Sequence, residues 1–374
     1  MVEHPIRRVF PCRAARACGA WSRRALLAAS GLVLLTSLVV VARAQEPLPA
    51  VGASRDGTTV SGISSGAFMA VQFQVAFSGE VAGVGAVAGG PYLCAEGSVS
   101  IALGRCMQAN LFFGAPDAAY LLRRASTFAE FGHIDPIANL AKARVYAFWG
   151  GHDGTVRRPV VESLVAFYRA AGVPEASLEA RLDVPAGHGF VVDGHGDEPA
   201  ETCGITAAPF INDCNYDQAG AILRHLLPDG HAAGAPPARA AVPAGRLLHF
   251  AQAEFLPQPR RHGMDEIGIA YVPPGCEADA GAAACRVHVA FHGCEQGRER
   301  LNDLFATAAG YLNWADAYRL VVLFPQAAAV PVSNPKGCWD FFAHDDPDYA
   351  TREGRQMAAV KRMLDRLRSP VPPR

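Results

Sequence analysis

Gly62-Ile63-Ser64-Ser65-Gly66 puts a serine, flanked two residues away on both sides by glycine, at the boundary between a strand-like and a helix-like run. Gly-x-Ser-x-Gly in that context predicts a nucleophile elbow, a sharp turn that lifts a hydroxyl clear of a sheet edge. Bulkier neighbours at the two glycines would collide with the packed strand and helix. The pentapeptide alone is a weak signal, because a glycine-rich chain of this length produces it by chance. A serine becomes a nucleophile only when a base takes its proton, an acid orients that base and backbone donors receive the oxyanion. Two later loops carry those residue types. Asp153 lies in Gly150-Gly151-His152-Asp153-Gly154, and His188 in Pro185-Ala186-Gly187-His188-Gly189. Asp183 and Asp193 compete as the acid, and His152 and His195 as the base. Asp153 is preferred because it alone opens a strand-to-helix loop after the elbow. His188 is preferred because it follows a strand directly, among small neighbours. One such residue in a loop is ordinarily just solvated; three loops in the order Ser, Asp, His fit acyl transfer.

The elements that must position these loops alternate. Runs 57–61, 81–88, 144–149 and 178–184 read as strands, the last two ending on the Asp153 and His188 loops. Helices are expected over 116–131, 158–171 and 217–227, and after the elbow, where Met69, Phe73, Ala76 and Phe77 share one helical face. Stretch 94–113 reads as loop. An Ala/Pro/Gly-rich linker at about 228–245 precedes strand-like runs 246–251, 268–272 and 285–291, a helix over 300–318, a strand over 320–325 and a last helix over 354–367. The pattern predicts an α/β fold, a mostly parallel sheet with helices on both faces.

The backbone N–H of Ser65 is the expected first oxyanion donor. In an α/β-hydrolase the second comes from a His-Gly loop that precedes the serine. Here the matching loop, His292-Gly293-Cys294, follows a strand near the other end of the chain. The expectation is therefore a circularly permuted α/β-hydrolase-like domain, its old ends joined by the linker, with the Cys294 N–H as second donor.

Arg7, Arg8, Arg13, Arg16, Arg23 and Arg24 make a basic region ahead of an apolar run over 25–41 and the sequence Ala42-Arg43-Ala44. That predicts a signal peptide over 1–44, removed to leave a single domain over 45–374, with an uncleaved membrane anchor as the alternative. The mature protein is expected to be secreted or periplasmic, with no membrane partner. Net charge is −1 and no basic block follows the leader, so nucleic acid is not an expected partner. Of ten cysteines, Cys12 and Cys18 would leave with the leader, and the remaining even set suits an oxidising compartment. Many pairings are possible. Proximity suggests Cys94–Cys106, Cys203–Cys214 and Cys276–Cys285, which leaves Cys294–Cys338 or a buried pair of free thiols. Without a Cys-x-x-Cys pair, no zinc is expected, and acyl transfer by serine needs no metal or organic cofactor.

Gly-Ile-Ser-Ser-Gly-Ala-Phe-Met-Ala from Gly62, the Asp153 and His188 loops, Ile211-Asn-Asp-Cys-Asn-Tyr-Asp217, His292-Gly-Cys-Glu-Gln296 and Gly337-Cys-Trp-Asp340 together resemble the circularly permuted poly(3-hydroxybutyrate) depolymerases. The resemblance covers nearly all of 45–374. It implies Ser64, Asp153 and His188 as a catalytic triad, the Ser65 and Cys294 amides as oxyanion donors, and Trp339 beside the cleft as a substrate contact. It also implies hydrolysis of short-side-chain hydroxyalkanoate polyesters. From the sequence alone, a tryptophan after a cysteine and beside two phenylalanines reads as core more readily than as a substrate shelf. Many secreted members carry a separate polymer-binding domain, which is not expected in this chain. Ala67 and Phe341-Phe342-Ala343 also depart from some relatives. The resulting expectation is a secreted, monomeric serine esterase acting on poly(3-hydroxybutyrate) or its oligomers. A feruloyl or acetyl-xylan esterase on the same scaffold is the alternative within the class. A non-catalytic binding protein of that fold is the alternative outside it, disfavoured by the intact serine, aspartate and histidine.

Overall fold

β3 (Arg144–Phe148) shows how the layers arise. Val145 and Ala147 enter one apolar cluster, and Tyr146 and Phe148 enter a second. A strand buried on both faces needs helices on both sides. The same division holds in β11 (Leu320–Phe324), where Val321 and Leu323 join the first cluster and Leu320, Val322 and Phe324 the second. The computed structural model describes residues 46–194, 199–228, 238–276 and 285–371, and the described residues form one compact unit. The expected signal peptide, His195 and much of the expected linker lie outside the described residues.

The eight-stranded sheet runs β4 (Leu178–Arg181), β3, β2 (Val81–Val87), β1 (Thr58–Ile63), β10 (Arg286–Phe291), β11, β9 (Ile267–Val272), β8 (Arg246–Ala251). Only β9 runs against its neighbours, pairing antiparallel with β11 and β8. α1 (Ser65–Ala76), α3 (Ala118–Glu130), α4 (Arg158–Ala170) and α9 (Arg355–Arg368) supply the first cluster; α5 (Gln218–Leu226) and α8 (Tyr311–Tyr318) supply the second. The expected α/β fold, mostly parallel with helices on both faces, is the observed one.

Several elements differ from the sequence reading for local reasons. All 12 residues of α1 are buried, so its apolar face is not a stripe but the whole surface. Its two glutamines find partners inside: Gln72 donates to the Asp340 carbonyl (3.1 Å), and Gln74 accepts from the Tyr168 hydroxyl (2.9 Å) while its buried Nε2 has no partner among the described residues. α3 and α5 start later than their periodicity suggests because Asp117 and Asp217 act as N-caps. The helix expected over 300–318 is three pieces, α6 (Arg298–Leu301), α7 (Leu304–Ala308) and α8. It breaks where Asn302 and Gly310 take φ of 53° and 85°. Stretch 94–113 holds α2 (Val99–Ile101) and a wide helical turn over Ala102–Met107. A small parallel sheet, ordered β5 (Phe190–Val192), β7 (Ile211–Asp213), β6 (Glu201–Thr202), was not expected at all.

Three disulfides join the pairs that proximity suggests, with Cα–Cα distances of 5.8 Å (Cys94–Cys106), 4.7 Å (Cys203–Cys214) and 5.6 Å (Cys276–Cys285), and the remaining pair, Cys294–Cys338, is bridged at 4.2 Å rather than left as free thiols. Among the described residues, no helix is long and apolar enough to cross a membrane.

Candidate active site

Ser64 sits between β1 and α1 with φ 55° and ψ −125°, a conformation that costs a residue with a side chain of order 1–3 kcal/mol. The turn is held by its surroundings. The Ser64 amide donates to the Val87 carbonyl (2.9 Å), and its carbonyl accepts from Ala67 (2.9 Å) and Phe68 (3.1 Å). The flanking glycines have different duties. A Cβ on Gly62 would strike the Gly66 carbonyl across the turn. A Cβ on Gly66 would strike the carbonyl oxygens of Phe291 and His292. Gly66 therefore lets the late His-Gly loop close over the early elbow.

The Asp153 and His188 loops leave adjacent strand ends and meet. Asp153 Oδ2 lies 2.8 Å from His188 Nδ1, and both side chains are buried. The other carboxylate oxygen, Oδ1, accepts the N–H groups of Thr155 (2.8 Å) and Val156 (2.9 Å). The His188 amide donates to the Thr206 hydroxyl oxygen (2.8 Å), which ties its loop to the segment bracketed by β6 and β7. An imidazole held through Nδ1 keeps Nε2 as its free basic nitrogen. The competing residues are elsewhere. His152 is exposed, Asp183 pairs with Arg181 in solvent, and Asp193 pairs with Arg239.

Opposite stands the His-Gly loop. The Ala327 N–H donates to His292 Nε2 (3.0 Å), so the ring proton sits on Nδ1 and is donated to the Gly293 carbonyl (2.7 Å). A Cβ on Gly293 would come within 3.4 Å of the Ser64 Cβ, which places this loop directly beside the serine. Ser64, His188, Gly293 and Cys294 all line one cavity of about 240 Å³, together with Met107 and Phe210. The structure thus gathers three of the predicted loops around one space and joins Asp153 to it from behind.

Trp339 requires a correction. It is not a wall of the cavity: it is completely buried, with its indole N–H on the His292 carbonyl (3.0 Å) and its ring edge-on to Phe291. An indole needs one acceptor, and the turn beneath the His-Gly loop provides it. Trp339 supports that loop from behind, and its backbone N–H also reaches the Ser65 hydroxyl (3.3 Å). The sequence reading gives no role to Met107, Thr206 or Phe210, and names Gln296 only within the motif His292-Gly-Cys-Glu-Gln296. The Cys94–Cys106 and Cys203–Cys214 bridges were the available hints, since each holds a segment that reaches the site.

Two histidines near this centre are buried as neutral rings. Burial pushes His292 down to about 4, slightly opposed by its bond to Gly293 and by Glu299, and pushes His288 down to about 3. His288 lies behind the elbow strand, between the hydroxyls of Thr59 (2.8 Å) and Ser61 (2.7 Å). Below pH 6.5 the unfolded chain takes up two protons that the folded rings refuse, so stability falls as pH drops toward the folded values. By pH 4.5 the loss from these two groups is on the order of 5 kcal/mol. Urea midpoints at pH 7 and 4.5 measure it, and equal midpoints would contradict the assignment.

A strained serine, a carboxylate-held imidazole and a His-Gly loop over a parallel sheet define an α/β-hydrolase-like protein of the carboxylic ester hydrolase class. A polyhydroxybutyrate depolymerase of Talaromyces funiculosus is 33% identical over 348 residues, 88% of this chain and 94% of the relative. The chain belongs to the poly(3-hydroxybutyrate) depolymerase family. A poly(3-hydroxybutyrate) depolymerase of Delftia acidovorans is 40% identical over 343 residues, 91% of this chain; the match spans only 66% of that relative's length. The crystal structure of PHB depolymerase from Penicillium funiculosum superposes with a TM-score of 0.76 at 31% identity, covering 86% of this chain and 98% of that one. A PHB depolymerase variant complexed with an R3HB trimer gives a TM-score of 0.76 at 30% identity, over 86% of this chain and 98% of that one. No protein-family model matches.

Proposed function

We propose that this chain hydrolyses poly(3-hydroxybutyrate) or its oligomers through an acyl-enzyme. Ser64 Oγ attacks the ester carbonyl while His188 Nε2 takes the hydroxyl proton, and Asp153 stabilises the imidazolium through Nδ1. The amides of Ser65 and Cys294 receive the oxyanion. His188 then returns the proton to the leaving alcohol, Ser64 is left esterified, and water attacks with His188 again as base. One observation carries the reading: the His188–Asp153 contact is buried behind the same cavity that the strained Ser64 lines. The substrate class rests on the relatives.

Export before folding is part of the proposal, since four disulfides suit an oxidising compartment. So is circular permutation. β1, the first strand of the described residues, lies mid-sheet with β2–β4 to one side and β8–β11 to the other. The Val51 and Ala53 amides donate to the Leu367 carbonyl (3.2 and 3.0 Å), so the two ends of the described unit meet. Joining them and opening the chain near 228–245 would lead α9 into β1 and put the His-Gly loop before the serine.

Clearing of a poly(3-hydroxybutyrate) suspension, run beside 3-hydroxybutyrate trimer and methyl ferulate, tests the substrate. The trimer is expected to exceed methyl ferulate in kcat/KM by about a hundredfold. The reverse preference would favour the feruloyl esterase alternative, and turnover of neither would remove the esterase reading.

A further inference from the structure

Gln296 is buried between the two walls of the cavity, and its carboxamide is spent wholly on backbone. Oε1 accepts the Gly293 N–H (2.8 Å), and Nε2 donates to the carbonyls of Pro209 (3.1 Å) and Phe210 (2.9 Å). One donor faces the oxygen and two acceptors face the nitrogen, so the amide has a single workable orientation. One wall carries Cys294. The other carries Phe210 and the Thr206 hydroxyl that receives the His188 amide.

The consequence appears when the amides of the His-Gly loop are counted. Gly293 donates to Gln296, Glu295 donates to the Lys336 carbonyl (2.8 Å), and Gln296 donates to the Gly293 carbonyl (3.3 Å). Among the described residues, the Cys294 amide donates to none. The Gly293 carbonyl is also held by His292, and in a trans peptide the following N–H points the opposite way. The Gly293–Cys294 peptide is thereby held through its carbonyl by two donors, with its N–H turned from His292 on a residue that lines the cavity.

We infer that Gln296 is a positioning residue: it clamps the His-Gly loop against the 206–210 segment and fixes the Cys294 amide as the loop's oxyanion donor. The inference rests on the proposed role of that amide. Replacement by leucine strands the Gly293 N–H and the Pro209 carbonyl, while the Phe210 carbonyl keeps the Phe190 N–H (2.8 Å). Replacement by glutamate keeps the acceptor for Gly293 but sets a carboxylate oxygen against two carbonyl oxygens. That oxygen becomes a donor again only when protonated, and the buried carboxyl is expected to titrate above its ordinary range.

The test is steady-state hydrolysis of 3-hydroxybutyrate trimer by Gln296→Leu and Gln296→Glu. In both, kcat is expected to fall about ten- to a hundredfold, with KM within about twofold of wild type, because a displaced oxyanion donor acts in the transition state. Affinity for a trifluoromethyl ketone inhibitor should fall by the same factor. In Gln296→Glu, kcat relative to wild type should recover as pH is lowered from 8 to about 6, a response that a purely structural role does not produce. Unchanged kcat in folded variants, a change confined to KM, or failure of both variants to fold would each overturn the inference. If activity also survives Ser64→Ala, the esterase site itself is misplaced; if it is lost in Ser64→Ala while the Gln296 variants keep kcat, only the clamp is wrong.

Discussion

Ser64→Ala is expected to lower kcat on 3-hydroxybutyrate trimer by about a million-fold, because the nucleophile and its base act as a unit. The fold should survive. The backbone bonds that hold the turn, from Ser64 to Val87 and from Ala67 and Phe68 back to Ser64, need no hydroxyl. Alanine also keeps the same unfavourable φ of 55°, so the strain stays in place. Ser64→Gly separates the two contributions. It removes the hydroxyl and relaxes the backbone, so it should be as inactive as alanine yet more stable by roughly 1–3 kcal/mol, less the entropy glycine adds to the unfolded chain. Turnover and urea midpoints of the two variants measure both effects. Labelling by a fluorophosphonate should be complete in wild type and absent in both. Residual turnover above about one-thousandth of wild type in folded Ser64→Ala would mean that another group attacks the ester.

The parts of this site that were legible in the sequence are those with a local cause. Gly62 and Gly66 announce the elbow because the turn itself excludes side chains, and the structure adds that Gly66 also admits a loop from the far end of the chain. Asp153 and His188 could be chosen over their competitors because each lies in a loop after a strand, buried β3 and edge β4, and a parallel sheet brings successive strand ends to one edge. The substrate contact that the resemblance implies for Trp339 could not be checked locally, because its neighbours are the same whether it faces substrate or core. The deciding partner, the His292 carbonyl, lies 47 residues away. Gln296 stands in a motif that carries the resemblance, but its contacts could not be read there for the same reason, its carbonyl partners lying 87 and 86 residues earlier. The interruption of 300–318 is a different failure: Asn302 and Gly310 are local signals, and apolar periodicity on either side overrode them. The strands β5 to β7 have three residues at most, too few for any periodicity to register.

Asp153→Asn is expected to reduce kcat on the trimer by about ten-thousand-fold, with KM little changed. The size follows from how the two carboxylate oxygens are used. Oδ1 accepts from Thr155 and Val156, and Oδ2 faces Nδ1 of His188. A carboxamide in this place must keep its oxygen toward the two backbone donors, because its NH2 group would otherwise oppose two N–H groups in a buried site. The NH2 group then faces Nδ1 and requires a lone pair there. His188 must release its Nδ1 proton and carry the proton on Nε2, the nitrogen that has to accept from Ser64. The ring stays in position, since its loop is also held by the hydrogen bond from the His188 backbone N–H to the Thr206 hydroxyl oxygen, but it is the wrong tautomer for a base. Nitrogen NMR of the His188 ring should find the proton on Nδ1 in wild type and on Nε2 in the variant, alongside the fall in kcat. A variant within tenfold of wild type would show that the backbone amides of Thr155 and Val156 do not dictate the carboxamide's orientation, or that His188 is not the base.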